Sequence, residues 1–165
     1  MDLTSRNCSV MAWLWIVLGM LAIVGSMTWI LPSPMERRQG ERRMKALQLG
    51  MKVRMLSLDD WAKERLDRIQ LAQYLVWTDQ QPRSATLWRI PDREEPWASP
   101  PDARSWDLLS GDFSVFLDSL PQDIVGVGAD QGSVWVALDD AKAVVEPEAI
   151  KPYLDQLLLL LTRRS

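Results

Sequence analysis

Histidine is absent from this chain of 165 residues, and cysteine occurs once, at Cys8. Without histidine, a serine–histidine–aspartate or cysteine–histidine catalytic arrangement cannot form, and the usual zinc and non-haem iron sites lose their main ligand. A single cysteine excludes an intramolecular disulfide and leaves too few thiolates for an iron–sulfur cluster. These absences exclude serine–histidine and cysteine–histidine catalysis, thiol catalysis and iron–sulfur binding, and they disfavour the usual zinc and non-haem iron sites.

Glycine-rich phosphate-binding motifs are also missing. Neither GxxxxGK[S/T] nor GxGxxG occurs, and Gly126-Val-Gly128 lacks both the third glycine and a helix after it. Adjacent carboxylates diverge on a helix or strand and make poor acid–base pairs, which applies to Asp59 with Asp60, Glu94 with Glu95, and Asp139 with Asp140. We expect these pairs to be solvated caps or turns, and we predict no catalytic residue, no cofactor, no metal and no enzyme activity.

An apolar run without a charged residue extends from Val10 to Leu31. As a helix it would reach about 33 Å, which matches the hydrocarbon core of a bilayer, and its tryptophans lie near both ends, as at the two membrane interfaces. A cleaved secretory signal would have a basic start and a shorter apolar stretch. The sequence therefore predicts a transmembrane helix at residues 10–31 after a short extracytoplasmic tail at residues 1–9.

Basic residues follow this run and are almost missing before it. Residues 32–54 hold seven basic and two acidic side chains, a net of +5, and five of the basic ones form a cluster: Arg37, Arg38, Arg42, Arg43 and Lys45. Because cytoplasmic flanks are enriched in lysine and arginine, the cluster predicts an outside N-terminus and a cytoplasmic C-terminal domain. Two interpretations of the cluster stay open, a topology signal alone or attraction to the anionic membrane surface.

Small residues form one stripe on the predicted transmembrane helix: Ala12, Gly19, Ala22 and Ser26. Small side chains allow a second helix to approach closely, so the stripe is a candidate contact face within the membrane. The predicted transmembrane helix has no GxxxG, and such residues are common in membrane helices, so the alternative that the stripe has no specific partner remains open.

The remaining sequence has the pattern of one small α+β domain with a mostly antiparallel sheet and several helices. Residues 32–50 should form a basic helix, because Ser33 and Glu36 make a capping box and Gly50 is a typical helix end. Residues 51–165 should form the domain itself, with a proline-rich surface loop at residues 91–105. Two hairpins are expected from the alternation of apolar segments and turns, 71–78 with 85–90 and 124–128 with 133–138.

Leucines form one face of the last predicted helix, which covers residues 146–164: Leu154, Leu157, Leu158 and Leu161. Two further leucines widen this face beyond what a simple surface helix needs. The face either packs on the sheet or remains in part available to a partner protein, and both interpretations are consistent with the pattern.

The N-terminal third resembles the start of YajC-type accessory subunits of the bacterial Sec preprotein translocase. The resemblance covers residues 10–55 and comprises a single apolar helix, an early proline, Arg37-Arg38, a short basic helix with Leu47, and Gly50-Met-Lys-Val53. It implies a bacterial inner-membrane protein with a small cytoplasmic domain that accompanies the translocase without catalysing a reaction.

Two functions remain for such a chain. The favoured one is a non-catalytic interaction or accessory module of an inner-membrane assembly, with the bilayer and other inner-membrane proteins as partners and a homo-oligomer left open. The alternative is a membrane-tethered sensor or small-ligand-binding module with a pocket near Trp97 in the proline-rich loop. Residues 55–165 hold 11 basic and 19 acidic side chains, so nucleic acid is not expected as a partner.

Overall fold

The computed structural model describes residues 13–23, 25, 33–67, 70–101, 111–130, 132–140 and 142–162. The chain divides into two compact units, Met1–Arg37 and Arg38–Ser165. The first unit contains a helix at residues 13–23 (α1) and the first turn of α2 (Pro34–Gln48). The second unit contains the rest of α2 and an α+β fold with an antiparallel sheet.

Among the residues that the structure describes, no helix is long and apolar enough to cross a membrane. The prediction of a transmembrane helix at residues 10–31 is therefore wrong, and so is the single-pass, inner-membrane localisation that depended on it.

The basic segment contains α2, whose start is stabilised by the capping box. The backbone N–H of Ser33 donates to Glu36 Oε2 at 2.7 Å, and the N–H of Glu36 donates back to Ser33 Oγ at 3.2 Å. These two bonds satisfy donors that a helix start otherwise leaves unpaired. The chain leaves the helix through Gly50, which has a φ of +78° that glycine adopts without strain.

Six antiparallel strands form the sheet in the order β1-β2-β6-β5-β3-β4. Their bounds are β1 Lys52–Ser57, β2 Gln70–Trp77, β3 Ala85–Arg89, β4 Trp97–Ala98, β5 Ile124–Asp130 and β6 Ser133–Leu138. The second predicted hairpin is present, since β5 and β6 pair through Asp130 and Ser133. The first is absent, because β2 pairs with β1 and β6 while β3 pairs with β5 and β4.

The remaining helices are α3 (Asp60–Leu66), α4 (Asp112–Ser119) and α5 (Pro147–Thr162). Because side chains alternate along each strand, the sheet has two buried faces. One face packs against α2, α4 and α5 and forms the larger core, with fully buried side chains such as Tyr74, Leu87, Phe116, Ile150, Leu154 and Leu157. The other face packs against α3 and forms a smaller core: Leu58, Ala62, Leu66, Leu71, Leu75, Trp88, Trp135 and Ala137.

The proline-rich loop contains a short strand that the sequence did not predict. Trp97 and Ala98 form β4, which pairs with Arg89 and Trp88 at one edge of the sheet. Trp97 is buried, and the Arg89 guanidinium carbon lies 4.7 Å from the centre of its ring. A buried aromatic side chain therefore ties this loop to the domain, and the loop is not irregular throughout.

Candidate ligand-binding pocket

Two tryptophans lie across β5 because that strand has glycine at the two positions beneath them. Trp88 on β3 is in register with Gly126, and Trp135 on β6 is in register with Gly128. A Cβ atom at Gly126 would lie 2.4 Å from Trp88 Cζ3, and one at Gly128 would lie 2.4 Å from Trp135 Cζ2. Glycine is therefore required at both positions if the two indoles are to pack against the strand.

The two indole rings come from the strands on either side of β5, and they pack against each other on one face of the sheet. Their centroids are 5.7 Å apart and their planes are inclined by 44°. This tilted arrangement is within the range that aromatic pairs prefer. The pair forms a continuous aromatic layer on the α3 side of the sheet.

An open pocket with a volume of about 360 Å³ adjoins this layer. We call it the indole pocket and define it by six of its lining residues, Arg54, Gln73, Thr86, Trp88, Asp130 and Trp135. Leu56 and Leu58 add apolar surface on the side of α3. The pocket is therefore lined by seven polar and five apolar residues, and its polar groups face an aromatic layer.

Arg54 enters the pocket with part of its guanidinium group already fixed. Its Nε–H donates to Oε1 of Gln73, the residue directly opposite on β2, and Gln73 is only 1% exposed. The terminal NH₂ groups of Arg54 make no hydrogen bond or ion pair with any described residue. An arginine that is oriented on one edge and unpaired on the other is well placed to bind a carboxylate or phosphate with two parallel hydrogen bonds.

The indole N–H of Trp88, one of the lining residues, is a buried donor that lacks an acceptor. Trp88 is 4% exposed, and its Nε1 atom has no hydrogen-bond partner within the described parts of the chain. The ring edge over Gly126 is the Cε3–Cζ3 edge, so Nε1 is on the opposite edge of the indole. A buried donor without an acceptor costs about 1–3 kcal/mol, and such a group in a folded protein requires an explanation.

The carboxylates at the pocket already have partners. Asp59 Oδ1 accepts a hydrogen bond from the backbone N–H of Ala62 at 2.8 Å and so caps α3. Asp130 also has an interaction partner. The described residues contain no group of three or more acidic, histidine or cysteine side chains that could hold a metal ion. Of the charged groups that line the pocket, Arg54 is thus the one with unpaired donors.

No family model, curated protein or solved structure matches this chain. The interpretation of the pocket therefore rests on its own geometry. The relationship to YajC-type translocase subunits stays a prediction from the N-terminal residues.

The basic cluster does not act as one surface. Arg37 and Arg38 are exposed. Arg42 and Arg43 turn towards the loop before α5, where Arg42 donates to the carbonyls of Ala143, at 2.6 Å, and Val145. Lys45 pairs with Glu146 at 3.4 Å, an exposed ion pair that contributes little stability. Two of the five predicted cluster residues therefore help to hold α2 on the domain.

Asp140 lies at the centre of a buried polar group rather than in a solvated turn as predicted. It is 7% exposed. Its Oδ2 accepts from Arg43 Nε at 2.9 Å, and its Oδ1 accepts from the Tyr74 hydroxyl at 2.6 Å. Burial, and then the hydrogen bond to Asp140, raise the pKa of the Tyr74 hydroxyl well above its ordinary value of 10.0. The prediction failed because Tyr74 and Arg43 are distant in sequence from Asp140.

The predicted leucine face is part of the core. Leu154, Leu157 and Leu161 are buried against the sheet, and Leu158 is half-buried beside them. Packing on the sheet, the first of the two interpretations, is what the structure has. The exposed leucine of α5 is Leu159, which is 68% exposed.

The small-residue stripe is only partly described. Gly19 and Ala22 lie on α1, whereas Ala12 and Ser26 lie outside the described residues. A Cβ atom at Gly19 would have no atom within 4 Å. Gly19 therefore has no helix contact among the residues that the structure describes.

Arg54, Gln73, Trp88 and Trp135 escaped the sequence analysis, although one signal for them was present. Glycine alternating with valine within a predicted strand, as in Gly126-Val-Gly128, marks a close approach by another group. The segment does not match a phosphate-binding loop, and its prediction as a hairpin strand does not say what packs on its glycines. The identity of the approaching groups depends on strand order, which the sequence pattern does not contain.

Proposed function

We propose that residues 38–165 form a non-catalytic binding module whose indole pocket holds a small ligand. The observation that carries this proposal is the unpaired donor edge of Arg54 beside an aromatic layer in an open pocket. Polar groups beside an aromatic surface can fix the orientation of a bound ligand. This replaces the pocket expected near Trp97, because that side chain is buried beneath Arg89.

The dimensions of the pocket favour a compact ligand. Small-molecule sites commonly occupy about 300–1,000 Å³, and the indole pocket, at about 360 Å³, lies near the lower end of that range. A single aromatic ring with a short polar arm fits such a volume. A binding role without chemistry is favoured because the carboxylates at the pocket are engaged in a helix cap and in another contact.

The test uses the full chain and the neutral probe 3-phenylpropanamide. Its binding is followed by the shifts of the indole N–H resonances of Trp88 and Trp135 in nitrogen-15 NMR spectra, after sequential assignment. Ser84 is exposed at the pocket, so Ser84→Trp should fill the pocket and remove the shifts. Gln156→Trp adds the same side chain at an exposed position of α5 and should leave the shifts intact.

Three outcomes of this titration distinguish a ligand pocket from binding elsewhere or no binding. Saturable shifts in the unmodified chain and in Gln156→Trp, but not in Ser84→Trp, support a ligand pocket. Equal shifts in all three chains would assign the effect to another surface and contradict the proposal. The same conclusion would follow if the probe shifted no pocket resonance up to its solubility limit.

A protein-interaction role is the second candidate, and exposed apolar side chains on α2 favour it. Met44 and Leu47 lie on adjacent turns of one helix face and are 59% and 55% exposed. A photocrosslinking residue at position 44 should capture the same protein reproducibly in cells, and one at position 156 should not. Capture of a preprotein translocase subunit would support the resemblance of the N-terminal third. Equal labelling from both positions would argue against a specific contact on α2.

A further inference from the structure

We propose that the ligand of the indole pocket is a small organic carboxylate with one flat apolar group, bound through Arg54. This proposal rests on the proposed function and adds the chemical class of the ligand. It concerns the charged end of the ligand, which Arg54 recognises, and the flat end, which lies against the indole layer.

Arg54 selects for a carboxylate because of how its guanidinium group is held. The Nε–H is occupied by the buried carbonyl oxygen of Gln73, which fixes the plane of the group. The two terminal nitrogens remain as a fork that matches the two oxygens of a carboxylate. A lysine at this position would supply the charge without the fork, so the arrangement favours a planar anion over a point charge.

Arg54 is an exposed side chain whose terminal nitrogens remain accessible to a ligand. No ion pair joins Arg54 to any carboxylate in the described parts of the chain. Of the pocket's acidic side chains, Asp59 caps α3 and Asp130 has a partner. One guanidinium group and two carboxylates therefore line the pocket, and Arg54 is the group to which an anionic ligand would bind.

The flat apolar group follows from the floor of the pocket. Trp88 and Trp135 present an aromatic layer there, and Leu56 and Leu58 border it. Aromatic groups pack favourably on such rings in offset or tilted arrangements.

The experiment compares three probes with the same phenyl group and nearly the same size: 3-phenylpropanoate, 3-phenylpropanamide and 3-phenylpropan-1-amine. Each is titrated into the full chain at pH 7 and constant ionic strength, and Kd is obtained from the Trp88 and Trp135 indole resonances. A charge-assisted pair with Arg54 should make the carboxylate bind about tenfold more tightly than the amide. The amine should bind most weakly.

Two variants at the pocket and one control test the role of Arg54. Arg54→Gln should reduce the carboxylate preference to less than about twofold while amide binding persists. Gln73→Glu is isosteric and places a competing carboxylate against Arg54, so it should also reduce the preference. Arg38→Gln removes one positive charge from an exposed position of α2 and should keep the full preference. Retained spectral dispersion shows that each variant is folded.

A carboxylate could come from a free small molecule or from the C-terminus of a peptide. Gly-Gly-Phe and its C-terminal amide separate these sources. If Gly-Gly-Phe binds more tightly than 3-phenylpropanoate and its amide does not, the carboxylate belongs to a chain terminus. If 3-phenylpropanoate binds more tightly, it belongs to a free acid. Both results agree with the proposed chemistry.

Failure of this inference differs from failure of the proposed function. If all three probes bind with the same Kd, or if Arg54→Gln keeps the preference, the carboxylate assignment is overturned while the pocket remains a binding site. If no probe, charged or neutral, shifts a pocket resonance, the proposed function is overturned together with the inference.

Discussion

Glycine at positions 126 and 128 is a steric requirement of the tryptophan layer. A Cβ atom added at either position would lie 2.4 Å from an indole carbon, and one at Gly128 would also lie 2.4 Å from the carbonyl oxygen of Ala85. Real Cβ atoms do not approach other atoms so closely, so a substitution must move a packed ring or a strand. The rings are buried in the smaller core and cannot move without loss of packing.

Gly128→Ala should therefore reduce the free energy of unfolding by about 1–3 kcal/mol, the usual cost of overpacking a core. Gly40→Ala is the matched control. Gly40 lies in the interior of α2 with no atom within 4 Å of an added Cβ, and alanine there should stabilise the chain by about 0.5–1 kcal/mol. Urea unfolding of both variants measures the two effects. Equal stability of the two variants would contradict the packing described here.

Tyr74 should make stability depend on pH in the alkaline range. Burial and the bond to Asp140 raise the pKa of its hydroxyl above 10.0, so the folded state favours the neutral phenol. The stabilisation is complete below pH 10 and is lost as pH rises towards the folded-state pKa. The unmodified chain should thus lose free energy of unfolding more steeply above pH 10 than Tyr74→Phe does. Urea midpoints at a series of pH values test this, and parallel curves would refute it.

Residue-level roles were the hardest part to predict from sequence. Asp59 was expected to be a cap and is one, because a cap depends on neighbours within three residues. Asp140 was expected to be solvated and is buried, because its partners Arg43 and Tyr74 are 97 and 66 positions away. Arg54 gains its orientation from Gln73 on another strand, so no local pattern could have identified it.

At the scale of secondary structure elements, α2 is held on the domain by polar contacts with the loop before α5. Arg42 donates to the carbonyls of Ala143 and Val145, and the N–H groups of Val144 and Val145 donate to Asp123 at 2.6 and 2.9 Å. Carbonyl groups of this loop thus accept hydrogen bonds from α2, and its N–H groups donate to Asp123. Ala46 adds a fully buried contact from α2 to the core.

Arg42→Ala should lower the free energy of unfolding by about 1–3 kcal/mol, because it leaves partly buried carbonyls without donors. Arg38→Ala removes the same charge from an exposed position one turn earlier and should change stability by less than about 0.5 kcal/mol. Thermal unfolding of the two variants under identical conditions measures the difference. A loss in Arg38→Ala as large as in Arg42→Ala would show that charge alone is responsible.

Element prediction succeeded where the signals were local. The capping box at Ser33 and Glu36 marks the start of α2, and the turn before Gly132 joins β5 to β6. The other hairpin failed because six polar residues separate its two apolar segments, which leaves room for a different pairing. Both edges of β2 are taken by β1 and β6, and the choice between neighbours is decided by long-range packing.

At the scale of the whole molecule, the two compact units suggest that the sheet-containing unit folds by itself. A chain that begins at Ser33 keeps the complete capping box of α2 and all of residues 38–165. Its melting temperature should lie within about 4 °C of that of the full chain, which corresponds to about 1 kcal/mol for a domain of this size. Calorimetry tests this directly, and a broad or absent transition would contradict it.

The overall pattern of the sequence predicted the fold class correctly, but its apolar run led to a wrong prediction of a membrane-spanning helix. Alternating apolar segments and interleaved helices predicted an α+β domain with an antiparallel sheet, and the structure has one. The apolar run at residues 10–31 predicted a membrane-spanning helix, and no described helix meets the length and apolarity required.

The paired tryptophans also make the pocket optically distinctive. Two indoles with centroids 5.7 Å apart and planes inclined by 44° are close enough for their electronic transitions to couple. Such coupling produces a circular dichroism couplet that depends on the mutual orientation of the chromophores. The circular dichroism spectrum of the native protein should therefore report on the angle between the two rings. A ligand that changes this angle should change the sign or the intensity of the couplet.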